Sequence, residues 1–200
     1  MEIAFDFGIT NTDVVVQDKH ELTFYTFSSK KVEIAFILEI LSEINLDTKL
    51  ITKIAVTGGK SRDLQDALDG IAIIKVNEVD AVGHGAKELY QIKDKKFMAV
   101  STGTGTACVA YMDKEFHHLG GISVGGGTLQ GLSNLTIDIN KAVEIEELSK
   151  VGNKKNLDAL IGEVVNNIGS LNPDITASNF SKARNKTNFN NEDIASSITN

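Results

Sequence analysis

Asp6, Gly8, Thr10 and Thr12 sit in and around the break between an apolar run at residues 3–7 and a second at 14–17. Backbone N–H groups and hydroxyls in such a turn can donate to phosphate oxygens, and a carboxylate beside them can hold Mg²⁺ through water. A plain turn after a strand aspartate is the competing reading of this segment alone. A second cluster, Ser101, Thr102, Gly103, Thr104, Gly105 and Thr106, alternates small residues with hydroxyl donors between two apolar stretches. A triphosphate can approach such a surface closely, although a flexible Gly/Thr hairpin is the blander alternative. It is not a P-loop, because no Gly-Lys-Ser/Thr follows, and not a dinucleotide fingerprint, because a strand rather than a helix follows the glycines. Gly125, Gly126 and Gly127 form a third cluster before a helical stretch, where free N–H groups suit an anion. Three such clusters in one acidic chain favour a nucleotide.

The elements that must position these clusters are an α/β set. Residues 3–7, 14–17 and 22–27 predict three antiparallel strands, the first two forming a hairpin. Ser28 and Ser29 offer a helix N-cap, and the spacing of Val32, Ile34, Ile37, Leu38, Leu41 and Ile44 predicts a helix over 32–44. Strands are expected at 51–57 and 71–76, with a short helix at 64–68 between them, stopped by Gly70. Asn77 is the expected N-cap of a helix over 78–90. Strands at 97–101 and 106–112 flank the second Gly/Thr cluster. Helical segments follow at 129–135 and 139–151, with weaker helical signal after Asn190. The order implies a mixed sheet combining antiparallel hairpins with parallel crossovers.

Composition limits the function classes. The 200 residues carry 20 Lys and Arg against 27 Asp and Glu, a net charge of −7, with 42% hydrophobic residues. An acidic isoelectric point near 5.1 opposes a general electrostatic grip on nucleic acid. Cys108 is the lone cysteine, no signal-like apolar segment opens the chain, and no apolar run approaches the ~20 residues that span a bilayer. A cytoplasmic protein acting on small molecules, away from membranes, is the expectation. Adjacent His117 and His118 on a strand would point to opposite faces, which disfavours a histidine metal site. The charged stretch at 141–155 reads as a solvated face, and Asp158 and Glu163 read as structural.

The order of these motifs resembles the type II pantothenate kinases, of the acetate/sugar kinase, Hsp70 and actin superfamily. The resemblance rests on the first hairpin, on Val56-Thr57-Gly58-Gly59, on Asn77-Glu78-Val79-Asp80-Ala81 with Gly83, Gly85 and Ala86, and on the 101–106 hairpin. It continues through Gly120-Gly121, Val124 to Leu132, and Thr176-Ala177-Ser178-Asn179-Phe180. It implies an actin-like ATPase (ribonuclease H-like) fold, ATP and Mg²⁺ as cofactors, pantothenate as phosphate acceptor in the first step of coenzyme A synthesis, and a homodimer. By that similarity Glu78 is the general base, Asp6 organises Mg²⁺, and the two hairpins with the 125–127 glycines line the phosphates. His118, Gly121 and Asn179 then fall at substrate-binding places. Taken alone, Glu78 reads as a solvated first-turn acid favoured by the helix dipole.

The chain departs from the family pattern in three places. The family's Asp-x-Gly-Gly-Thr-x-x-Lys has Ile9 for its second glycine and Asp13 for its lysine, which puts an anion where a cation would meet the triphosphate. His118 stands where the family has an arginine, exchanging a permanent bidentate charge for a titratable one. The adenosine-binding segment expected after Phe180 is not evident, so the chain reads as a first domain at 1–115 and the incomplete start of a second, substrate and dimerisation domain at 116–200. These departures keep two alternatives open: a kinase of the same fold for another small alcohol such as an N-acetylhexosamine, and a weakly catalytic regulator that binds nucleotide or acyl-coenzyme A.

Overall fold

The computed structural model describes residues 1–59, 61–185 and 188–200, which form two compact units, 1–122 and 123–200. The first unit opens with β1 (Glu2–Phe7), β2 (Asn11–Asp18) and β3 (Glu21–Ser28), an antiparallel meander. In β1 the residues Ile3, Phe5 and Phe7 are buried while Glu2 and Asp6 face away from the core, the period-2 pattern of a strand with one apolar face. That face packs on α1 (Ile34–Glu43) through Phe36, Ile37, Ile40 and Leu41, with the Phe7 and Phe36 rings 6.4 Å apart. Glu33 occupies the N-cap of α1 without a side-chain bond, so the expected Ser28–Ser29 cap is not used. β3 runs through Ser28, and Ser29 bonds the first turn instead.

β4 (Lys53–Thr57) pairs parallel to β1, and β6 (Ile71–Lys75) pairs parallel to β4. The expected helix at 64–68 is absent. The segment holds a 3₁₀ turn at Ser61–Asp63 and the short strand β5 (Ala67–Leu68), antiparallel to β6. Asp69 and Gly70 carry φ of 48° and 84°, the two positive angles of a tight hairpin turn, so Gly70 turns a strand rather than stopping a helix. The resulting sheet has the order β3-β2-β1-β4-β6-β5.

From β6 the chain enters α2 (Glu78–Leu89), capped by Asn77, whose side chain accepts the Val79 N–H at 2.9 Å. The helix packs on a second, three-stranded antiparallel sheet of β7 (Phe97–Thr102), β8 (Thr106–Met112) and β9 (Glu115–Ile122). β9 is a strand that the glycine-rich reading of this region missed. Its hairpin turn uses Asp113 and Lys114 at φ of 55° and 70°, a left-handed pair without the glycine that normally announces it. Because β9 pairs with β8, the first compact unit reaches Ile122, beyond the expected boundary at 115. Gly83 is the buried residue of α2, and a Cβ there would collide with the Phe116 ring. That ring is wedged against Tyr111 and His84, at centroid distances of 4.9 and 4.7 Å, and has little room to yield.

The second unit contains α3 (Gly126–Ile137), α4 (Ala142–Val151), β10 (Ala159–Leu160), α5 (Ile161–Val164), β11 (Thr176–Ser178) and α6 (Asn191–Ile198). Its small apolar cluster joins Ile137, Ile145 and Ala195. Polar bonds supplement that modest core. The fully buried Asp158 carboxylate accepts the Phe180 N–H at 2.9 Å, the Thr176 hydroxyl at 3.4 Å and the Ser197 hydroxyl, tying β11 and α6 to one anion. Asp193 similarly accepts from Asn153 N at 2.8 Å and Asn156 Nδ2 at 2.6 Å. Glu163 receives the Leu160 N–H and pairs with Lys182 at 2.9 Å, and α4 carries exposed Lys–Glu pairs. The bonds of Asp158, Asp193 and Glu163 all close within this unit.

Two stability predictions follow from these contacts. Asp158→Ala strands three donors, the Ser197 hydroxyl fully buried and the other two part-buried, and costs about 3 kcal/mol in urea denaturation followed by a probe in the second unit; a loss within ~0.5 kcal/mol would show that the network is dispensable. Gly83→Val gains helix propensity but overpacks the α2–β9 contact, with a net loss of about 2 kcal/mol by the same measurement. An unchanged midpoint would mean that Phe116 moves freely aside.

Candidate active site

The parallel strands β1, β4 and β6 end at the same edge of their sheet, the edge at which ligands of open parallel sheets bind. Asp6, Thr57 and the Asn77–Glu78 helix start all emerge there. The Val76 N–H still bonds Val56 O at 2.8 Å, so the chain leaves the sheet in register just before Glu78. Gly58, at φ 73°, passes beneath Asp6, and a Cβ on it would strike Asp6 Oδ1 and stand 2.8 Å from Phe7 O. A side chain there would push the carboxylate away, which is the physical reason for glycine in the Val56-Thr57-Gly58-Gly59 motif.

Three acids share this edge. Asp13 lies opposite Asp6 in the β1–β2 register and accepts the Thr26 hydroxyl at 2.6 Å. Burial holds the Asp6 carboxyl above its ordinary pKa of 3.8, and the negative charges of Glu78 and then Asp13 push it the same way. The Thr57 hydroxyl is buried without a partner and neighbours Asp6 in the β1–β4 register. An aspartate crowded by like charge, next to an orphaned hydroxyl that a metal-held water would satisfy, fits Mg²⁺. That ion commonly takes one or two carboxylates and completes its shell with water and substrate phosphates. Among the described residues no cluster of three His, Cys, Asp or Glu side chains forms a closed metal cage.

The two hairpin turns converge on this edge. Thr10 Oγ1 and Thr104 Oγ1 are 3.0 Å apart, although 94 residues separate them in the chain. The second turn is closed by Gly103 N–H to Gly105 O at 2.8 Å, with Thr102 opposite Thr106, so Ser101 to Thr106 forms one tight hairpin end. Thr12 does not join the open face. It is fully buried and its hydroxyl lies 3.1 Å from Ser29 Oγ, so it braces the turn instead of offering a free donor to phosphate. Ile9 projects at the tip with 82% of its surface exposed.

Gly121 lies opposite Ala107 in β9, next to the second turn. His118 pairs with Val109 and is exposed, and Leu119 bulges out between His118 and Gly120, because Cys108 faces Gly120 while Val109 faces His118. The remaining candidates belong to the second unit. Gly125 caps α3, whose first residues are Gly126 and Gly127, and Thr128 N–H and Leu129 N–H both bond Gly125 O. Asn179 donates its side-chain N–H to Ser197 O at 3.0 Å, a bond internal to that unit. Asp6, Gly8, Thr10, Glu78, the 101–106 hairpin and Gly121 are thus placed within the first unit. Sequence reasoning missed Ser29, which it assigned to a helix cap; only pairing of β3 with β2 reveals its place.

Two comparisons of sequence and one of structure bear on this arrangement. The activator of the 2-hydroxyisocaproyl-CoA dehydratase from Clostridium difficile, solved with bound ADPNP, superposes with a TM-score of 0.56 at 18% identity, over 76% of this chain and 57% of that one. The protein therefore has the actin-like ATPase fold, as expected. The Fumble family matches residues 88–200. The type II pantothenate kinase of Bacillus cereus (strain AH820) is 34% identical over 205 aligned positions, covering 98% of this chain and 71% of its own length. That of Staphylococcus aureus (strain USA300) is 26% identical over 90% of the chain and 66% of its own. This chain belongs to the type II pantothenate kinase family.

The raised Asp6 pKa makes a signed prediction. The folded chain holds this proton more tightly than the unfolded chain, so stability from this group is lost as pH climbs from 3.8 through the raised value. Asp6→Asn removes that loss: its Tm exceeds the parent's at pH 7, and the difference closes as pH falls below 3.8. Calorimetric melts across this range check it, and a variant that melts below the parent at pH 7 would contradict the assigned crowding.

Proposed function

We propose that this protein transfers the γ-phosphate of ATP to the primary hydroxyl of pantothenate, giving 4′-phosphopantothenate in the first step of coenzyme A synthesis. The observation that carries the reading is the meeting of the Thr10 and Thr104 hydroxyls beside the edge that bears Asp6 and Glu78. It brings two donor-rich turns, an acid suited to a cation and an acid suited to a proton into one place. Family membership names the acceptor.

In this reading the turn N–H groups and hydroxyls of residues 8–10 and 101–106 orient the phosphates. Glu78, at the start of α2, takes the acceptor's hydroxyl proton and aims its oxygen. Asp6 holds Mg²⁺, which when bound neutralises charge on the phosphates. Within the same unit, His118 and Gly121 of β9 fall at places that family resemblance gives to the acceptor. His118, exposed on β9, stands where the family has an arginine and offers a smaller donor than a guanidinium fork. We further infer a cytoplasmic homodimer; no helix among the described residues is long and apolar enough to cross a membrane.

The test is pantothenate-dependent ADP release with Mg²⁺-ATP, parent beside Glu78→Gln. The substitution lowers kcat by about 10²- to 10⁴-fold with little change in ATP affinity. Equal rates in both would remove Glu78 from the chemistry. ADP release with an N-acetylhexosamine but not with pantothenate would reassign the acceptor.

A further inference from the structure

We propose that Ser29 is a positioning residue for phosphate binding, holding the first turn at the spacing that a triphosphate needs; the proposal rests on the phosphotransfer reading above. Ser29 follows the last residue of β3 and makes three bonds to alternate residues of the turn. Its N–H donates to Thr10 O at 2.9 Å, its hydroxyl donates to Gly8 O at 2.7 Å, and its oxygen lies 3.1 Å from Thr12 Oγ1. A serine hydroxyl has one proton. With that proton on Gly8 O, Thr12 must be the donor in the third bond, so the buried Thr12 hydroxyl points its proton at Ser29 and away from any ligand.

One residue therefore grips positions 8, 10 and 12 from behind. Position 10 is the one whose side chain reaches Thr104, so the anchor on the Thr10 carbonyl also sets the gap between the two hairpins. The tip supplies no anchor of its own: Gly8 has no side chain and Ile9 stands in solvent. Besides the β1–β2 and β2–β3 ladders, a 3.2 Å bond from Gly8 N to Asp6 O and the Thr10–Thr104 contact, the Ser29 hydroxyl is the side-chain group that ties Gly8 to Thr12.

The experiment compares the full 200-residue chain with Ser29→Ala, Ser29→Thr and Val16→Ala. Ser29→Ala keeps the backbone bond to Thr10 and removes both hydroxyl bonds. Val16→Ala removes buried apolar surface from β2 away from the turn and controls for lost stability. Ser29→Ala raises KM for ATP about 10-fold while KM for pantothenate stays within about twofold, Ser29→Thr recovers most of the loss, and Val16→Ala melts lower with parental KM for ATP. A Ser29→Ala protein that melts lower but keeps the parental KM for ATP overturns the proposal, as does an equal rise in both KM values. Where the parent binds ATP without turnover, the same comparison is made on Kd by titration calorimetry, and unchanged affinity in Ser29→Ala overturns the positioning role alone. A parent that neither binds ATP nor releases ADP overturns the phosphotransfer reading, and this proposal falls with it.

Discussion

The register of β1 is the constraint on which the site depends. Ile3, Phe5 and Phe7 are each about 98–99% buried against α1 and the neighbouring strands, and the Phe5 and Phe7 rings stack at 5.8 Å. Strand side chains alternate, so this anchorage forces Asp6 to the opposite face, at the edge where β4 and β6 also end. A slip of one residue would bury the carboxylate and expose three large apolar groups, a change of several kcal/mol in the wrong direction. The apolar pattern that builds the core thereby aims the acid as well.

Two close approaches complete the arrangement. Gly58 lets the β4 loop pass under Asp6, and Gly83 lets α2 lie against Phe116. The second approach matters for chemistry because Glu78 begins the same helix: the depth at which α2 seats on its sheet sets where Glu78 lies. That sheet also presents the 101–106 turn, whose Thr104 reaches Thr10. Packing of one helix therefore couples the proposed base to the proposed phosphate donors.

The electrostatics of the edge are unusual for a site that would hold a triphosphate. Asp6, Asp13 and Glu78 lie close enough that the latter two raise the Asp6 pKa, and Asp13 is held by Thr26. Like charges at directly opposed strand positions destabilise the pair, so the free protein carries a cost that a divalent cation would relieve. Asp13 in the place of the family's lysine thus adds like charge to this edge.

Much of this was legible in the amino-acid order. Alternation in β1 and β2, the 3.6-residue period of α1, the Asn77 cap and the Gly/Thr clusters are local patterns, set by backbone sterics and by which residues can be buried. The motifs at Asp6, Glu78 and 101–106 lie within such local elements and could be found in turn, as could the family. What could not be read were features whose partners are distant in the chain. β9 turns on Asp113 and Lys114 without glycine, and β5 is a strand only because Asp69-Gly70 folds it onto β6. Thr12 resembles Thr10 in sequence but lies buried against Ser29, and Ser29 resembles a helix cap until β3 brings it behind the turn. Sequence by itself determined the locally patterned elements and the residue types they present, because propensity and hydrophobic period act over a few residues. Tertiary structure alone decided which hydroxyl faces outward and which two turns meet, because hydrogen bonds across 17, 21 or 94 residues exist only once the sheets have packed.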